Sequence, residues 1–224
     1  MKRFWKEVTV ADGHVLLDGR PVRTPARAVL ALPGAALAEA VAAEWQAVGE
    51  AIDPRAMPLT GLANAAIDRA GEPGFADTLA GYAQTDLLCY RADGQPELAA
   101  REAAEWEPLL AWARGRYDVH FEVTRGIVHV PQPEATVARL GSAVRAQDPF
   151  RLAALQPLVT IGGSLVVALA VLEREIAATQ AFDTAHLDEL WQAEQWGEDS
   201  LATQARAARR RDWDAAARFL ELLP

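Results

Sequence analysis

A chain of 224 residues with 51% hydrophobic and 24% charged side chains has the make-up of a globular protein with a sizeable core, in one large domain or two small ones. Its formal net charge of -9 excludes nucleic acid or an anionic membrane as the main partner, because both demand a basic surface, and it favours a protein partner with a basic face. The single cysteine, Cys89, excludes an internal disulfide and a multi-thiolate zinc site; it suits a reducing compartment and reads as a small buried hydrophobe.

The N-terminus, Met1 to Glu7, has no apolar signal-peptide core, so the sequence predicts a protein that stays where it is made. Short β-rich runs at Val8-Thr9-Val10, His14 to Leu17 and Pro21-Val22 are separated by Asp12-Gly13 and Asp18-Gly19, dipeptides that tolerate the positive φ of tight hairpins. These predict a small β-meander. After Pro33-Gly34, residues Leu37, Val41, Trp45 and Val48 recur at helical spacing, which makes Trp45 a core residue. Ile52 to Leu62 is rich in Pro and Gly, and Ala63 to Ala70 reads as a short helix closed by Gly71. A domain boundary is therefore expected near residue 72, dividing an N-terminal α+β domain (1–72) from a mainly helical C-terminal domain (73–224).

Phe75, Leu79, Tyr82 and Cys89 fall on one helical stripe, and a second helix is predicted from about Glu97 to Arg116. Val119, Phe121 and Val123 then alternate with polar residues, Thr124-Arg125-Gly126 turns, and Ile127 to Val130 continues, reading as a hairpin over 119–130 that returns to the N-terminal sheet. Pro133 and Asp148-Pro149 start further helices, Asp183 or Thr184 caps another, and Leu201 to Leu223 forms a long last helix. Leu152 to Leu172 has no charged residue and the length of a membrane span. Pro157 and Gly162-Gly163-Ser164 divide it, and aromatic or basic anchors are missing, so buried helix is the better reading.

The residues that carry chemistry are sparse. His14, His120, His129 and His186 form no i,i+4 pair; His120 and His129 would meet across the hairpin, but two imidazoles complete no metal site. Ser164 lacks the flanks of a nucleophile elbow, and no Gly-rich loop ends in Lys-Ser or Lys-Thr. Glu44, Asp86 and Arg91 are candidate pocket groups, with solvated or ion-paired roles favoured. Arg209-Arg210-Arg211 reads as a solvated helix face supplying i,i+4 pairs. No catalytic, metal or cofactor residues are therefore assigned.

The informative stretch is Leu190 to Ser200. It sets Trp191 and Trp196 among Glu194, Gln195, Glu198 and Asp199 at a break between two helical patterns. Trp carries large apolar area with few rotamers to lose and dominates protein interfaces. Carboxylates around it would steer a basic partner. The plainer reading is two core tryptophans at the junction of two helices, with Glu198 and Asp199 favouring the second helix's positive end.

Arg3-Phe4-Trp5-Lys6, Leu17 to Pro25, Val41 to Trp45, Met57-Pro58-Leu59-Thr60, Thr85 to Arg91 and Trp196-Gly197-Glu198-Asp199 occur in order. Together they resemble the assembly chaperones of the F-type ATP synthase that handle the α subunit of its catalytic head. The likeness runs from Arg3 to about Leu222. It implies a non-catalytic chaperone with an N-terminal α+β domain and a helical C-terminal domain. Such a chaperone shields the α-subunit surface that the β subunit later takes. Family members occur in mitochondria and in the bacterial cytoplasm, and this chain resembles a bacterial one, monomeric when free and without stable membrane insertion. In mitochondrial relatives a glutamate directly before the second tryptophan is tied to function; here Gln195 holds that place, with Glu194 one step earlier and Glu198 two residues beyond Trp196. The patch Trp191, Glu194, Gln195, Trp196, Glu198 and Asp199 is therefore the expected partner-binding site. A general protein-binding module with another client is the alternative, and a small-molecule enzyme built around Asp86 the third.

Overall fold

The computed structural model describes residues 1–224 and is α+β, with ten α-helices and a small N-terminal sheet. It divides into two compact units. The first comprises 1–75, 148–154 and 215–224; the second comprises 76–147 and 155–214.

In the first unit, β1 (Val8–Ala11), β2 (His14–Leu17) and β3 (Arg20–Pro21) form an antiparallel meander in that order. Asp12 and Gly13 have φ of 49° and 75°, and Asp18 and Gly19 have 48° and 77°, so both expected hairpin turns form with two consecutive left-handed residues. Gly13 is required twice over, because a Cβ there would stand 2.7 Å from the Leu32 carbonyl oxygen. Val15 and Leu17 point inward from β2 and meet Leu30, Leu32, and Leu37 and Val41 of α1 (Ala35–Ala47). Trp45 is half-buried against this core, with its ring 5.2 Å edge-on from that of buried Trp5.

The next helix begins earlier than its apolar pattern predicts. α2 runs Pro58–Asp68, with Pro58 at its first position, where the missing N–H costs nothing. Its exposed N-terminal donors explain Glu44: one carboxylate oxygen accepts the Leu59 N–H at 2.8 Å, and the other accepts the Thr60 N–H at 2.8 Å and the Thr60 hydroxyl at 2.7 Å. Glu44 is thus a cap offered by one helix to the next. At the other end of α2, Asp68 accepts from the Thr24 hydroxyl at 2.6 Å and the Ala26 N–H at 3.0 Å, fixing the loop after the meander.

The second unit is helical: α3 (Phe75–Ala80, all but its first residue), α4 (Pro96–Tyr117), α5 (Glu134–Arg145), the later part of α6 (Pro149–Gly162), α7 (Leu165–Leu172), α8 (Ala178–Ala185), α9 (Leu187–Trp196) and α10 (Ser200–Leu222) up to residue 214. The apolar 152–172 run is two helices divided at Gly163, whose φ is +63°, and Ser164, whose hydroxyl caps α7. Pro157 lies inside α6 without ending it. No helix is long and apolar enough to cross a membrane. Two tryptophans organise the core: Trp106 donates its indole N–H to the Thr184 carbonyl at 2.9 Å, and Trp213 donates to the Ala178 carbonyl at 2.8 Å. The expected cap at Asp183 or Thr184 is corrected, because both lie inside α8 and the helical break falls at His186.

The hairpin expected over 119–130 does not form. β5 (Thr124–Arg125) pairs parallel with β4 (Tyr90–Arg91) in a separate two-stranded sheet, and the meander gains no fourth strand. Side chains replace the missing partner strand. Gln132 accepts the Glu122 N–H at 3.0 Å and returns its amide to the Glu122 carbonyl at 2.9 Å. Thr136 does the same for His120, at 3.1 and 2.5 Å. Period-two alternation signals extended backbone, but it does not say what satisfies that backbone.

Replacing Glu44 by Ala removes three hydrogen bonds from the start of α2 and should destabilise the protein by about 1–3 kcal/mol, read as a lower urea midpoint with unchanged m-value. An unchanged midpoint would show that solvent caps α2 equally well.

Candidate partner-binding surface

The 187–200 segment is a helix, a reversal and the start of another helix. α9 ends at Trp196 because Gly197 adopts φ +90°, a backbone that L side chains rarely take; its N–H still bonds the Ala193 carbonyl at 2.9 Å. Asp199 then accepts the Ala202 N–H at 2.8 Å, as an N-cap does for α10.

The two tryptophans divide in role. Trp191 is half-buried, with the Arg101 guanidinium 5.8 Å above its ring. Trp196 is 73% exposed, so the reading of both tryptophans as core is excluded. The carboxylates between and beyond them are held in place. Arg101 on α4 forks onto both oxygens of Glu194, at 2.6 and 3.1 Å. Arg206 on α10 meets both oxygens of Glu198, at 2.8 and 3.0 Å, and the Thr203 hydroxyl also donates to Glu198. The Arg101 bond holds the Glu194 carboxyl below its usual range, and the bonds from Thr203 and then Arg206 do the same for Glu198. Gln195 is exposed. All six expected residues therefore lie on one helix end and its reversal, and Arg101 and Arg206 join them. Sequence reasoning missed both arginines: Arg101 stands 93 residues from Glu194, beyond any local pattern. The acidic stretch is consequently an ion-paired surface, with its anions balanced in place.

The other candidates have structural partners. Asp86 is fully buried, accepting the Leu88 N–H at 3.0 Å, the Ser164 hydroxyl at 2.7 Å and the Val166 N–H at 2.9 Å. Burial pushes its carboxyl up, against the lowering pull of those donors. Arg91 is buried over the Trp106 ring at 5.1 Å and donates to the Leu88 carbonyl. Glu44 belongs to the first unit and Asp86 and Arg91 to the second, each with its own bonds. Cys89 is buried and free, with burial pushing its thiol up to about 12. His129 meets the Tyr90 hydroxyl at 3.2 Å; His186 is buried and stacks on Phe182. In the arginine run, Arg209 bonds Glu189 and Arg210 bonds Asp183, with the expected i,i+4 pair to Asp214 at 3.5 Å.

An exposed aromatic ring with charge fixed around it is the kind of surface by which one protein grips another, and comparison with known proteins places the chain in such a class, the chaperones. Residues 2–114 match the family model of the ATP12 chaperone protein. The crystal structure of Atp12 from Paracoccus denitrificans is 42% identical, with a TM-score of 0.93 over 100% of this chain and 98% of that one. A lysine-for-aspartate variant of the same Paracoccus protein gives 0.92 at 42% identity, over 99% and 97%. Atu1473 from Agrobacterium tumefaciens, described as a chaperone candidate, gives 0.93 at 40% identity, over 98% and 85%. The chain belongs to the ATP12 chaperone family.

Replacing Arg101 by Ala releases both the Glu194 carboxylate and the Trp191 ring. Red-shifted tryptophan emission with less than about 1 kcal/mol of stability lost is expected, since exposed ion pairs contribute little. An unshifted spectrum would show that the surrounding contacts alone hold Trp191.

Proposed function

We propose that this chain is an assembly chaperone for the F-type ATP synthase. It binds the unassembled α subunit, prevents its aggregation and yields it when the β subunit arrives. It works as a free monomer in the bacterial cytoplasm and converts no substrate. The observation that carries the reading is Trp196, a large aromatic left 73% exposed on a helix end whose neighbouring carboxylates are already ordered. Membership of the ATP12 chaperone family supports the client's identity.

An unassembled subunit exposes an apolar interface with a charged rim, and a binder for it needs an aromatic anchor with polar groups around it. Trp196 is the anchor. Glu194, Glu198 and Asp199, with Arg101 and Arg206 behind them, supply a rim of both signs, and Gln195 adds a neutral donor and acceptor. Gln195 stands directly before this tryptophan, so the contact is assigned to the patch as a whole and not to a single carboxylate.

The test is light scattering of ATP synthase α subunit diluted from denaturant, with this protein at equal molarity. Suppression is expected for the wild type, together with a mixed complex on native mass spectrometry. Trp196→Ala should lose protection at an unchanged melting temperature, corresponding to about 2 kcal/mol or more of binding, as for a central interface aromatic. Glu198→Lys sets a second cation beside Arg206 and should slow capture most at low salt. Full protection by both variants would move the site elsewhere, and no suppression by the wild type would remove this client.

A further inference from the structure

The helix that carries the surface is lightly held. Of α9, only Leu187 is buried. Polar contacts also join it to α4: the fork from Arg101 to Glu194, the Arg101 cation over Trp191, and a contact between two acids. Glu102 on α4 is 1% exposed, and one of its oxygens accepts the Ala92 N–H at 2.7 Å. The Asp188 carboxyl on α9 lies within hydrogen-bond reach of Glu102. Oδ1 of Asp188 is buried and receives no hydrogen bond. Two ionised carboxylates have only acceptors to offer each other, so this contact is satisfied when one of them carries a proton.

We propose that Glu102 is protonated and donates to the Asp188 carboxylate, and that this proton is a latch docking α9, and with it the tryptophan surface, onto α4.

The neighbouring charges supply no other donor to the pair. Arg91, from β4, is engaged with the Leu88 carbonyl and stands 3.8 Å from Glu107, which Arg114 also holds. Arg101 is taken by Glu194, with Glu105 adding a weaker attraction on the same helix. On the far side of α9, Glu189 is matched by Arg206 and Arg209 of α10, and Asp183 of α8 by Arg210. His186, at the start of α9, gives its ring nitrogen to the Phe182 carbonyl, and burial holds it below its usual range. Burial pushes the Glu102 carboxyl up to about 7, opposed by the Ala92 N–H and reinforced by Asp188.

With α9 lifted, Glu102 returns towards its usual value of 4.5; docked, it keeps its proton to about 7. The docked state therefore binds more protons over that interval. Docking weakens as pH rises through the interval and levels off above it. If α9 presents the client site, as proposed above, that surface is firmest in mild acid and loosens towards neutrality.

Amide hydrogen exchange of the whole protein tests the latch without any client, so its failure is separate from a failure of the chaperone reading. After correction for intrinsic rates, protection across residues 188–196 should fall about tenfold or more between about pH 5 and about pH 7 in the wild type, with α7 as the internal reference. Glu102→Gln and, independently, Asp188→Asn place an amide donor in the contact and should each make α9 protection flat across that range. Wild-type protection that does not change with pH, or a fall that persists in both variants, overturns the proposal; titration of His186, whose value burial lowers, would make protection rise with pH and so cannot mimic the latch.

Discussion

A buried carboxylate at Asp86 sets the geometry on which the second unit depends. Burying such a group without donors costs several kcal/mol, so it is tolerated only where the fold supplies them. Here the donors come from two distant segments: the Leu88 N–H closes the turn at 87–89, while the Ser164 hydroxyl and the Val166 N–H belong to the start of α7. Ser164 then accepts the Val167 N–H, and the Leu87 N–H reaches back to the Gly163 carbonyl at 3.0 Å. One side chain thus ties a short turn to the entry of α7, whose residues Leu165 to Val171 are all buried. The residues just beyond the turn inherit that placement. Arg91 lands over Trp106, and the Ala92 N–H is presented to Glu102 on α4. Through Glu102 the same frame reaches α9.

The contrast between α7 and α9 explains where a surface can be adjustable. α7 has apolar contacts around its whole circumference, which fix it irrespective of pH or salt. α9 has one buried apolar residue and is stitched by ion pairs, a cation over a ring and an acid pair. Contacts of that kind are individually modest and depend on protonation and ionic strength. Segments with few buried apolar contacts open at low free-energy cost, and functional surfaces are drawn from that end of the range.

Much of the architecture was legible because its determinants are local. Asp-Gly dipeptides place the hairpins, four- and three-residue spacings place α1 and α4, and Gly163-Ser164 divides the long apolar run. The misreadings share a cause. Pro58 belongs to α2 because Glu44, on the preceding helix, caps that helix end. The 119–130 alternation is extended backbone served by Gln132 and Thr136 instead of a second strand. The candidate surface obeys the same rule. Its aromatics, carboxylates and the reversal at Gly197 could be read from one short stretch, whereas Arg101, which positions Trp191 and Glu194, comes from another helix and carries no local signal.

The pairing of the carboxylates changes how the surface would act. A free acidic cluster would attract a basic partner over a Debye length, roughly 8 Å at physiological salt, whereas charges matched by Arg101 and Arg206 cancel much of that distant field. What the arginines give instead is order. Glu194 and Glu198 are held in single geometries on either side of Trp196, so less side-chain freedom is lost when a partner arrives, and the indole has few rotamers to give up. Asp199 is fixed by its cap to α10, and Gly197 prevents α9 from continuing past the ring. As a docking site, the surface proposed above would therefore act by short-range fit around one aromatic, with specificity set by the arrangement of paired charges more than by their sum.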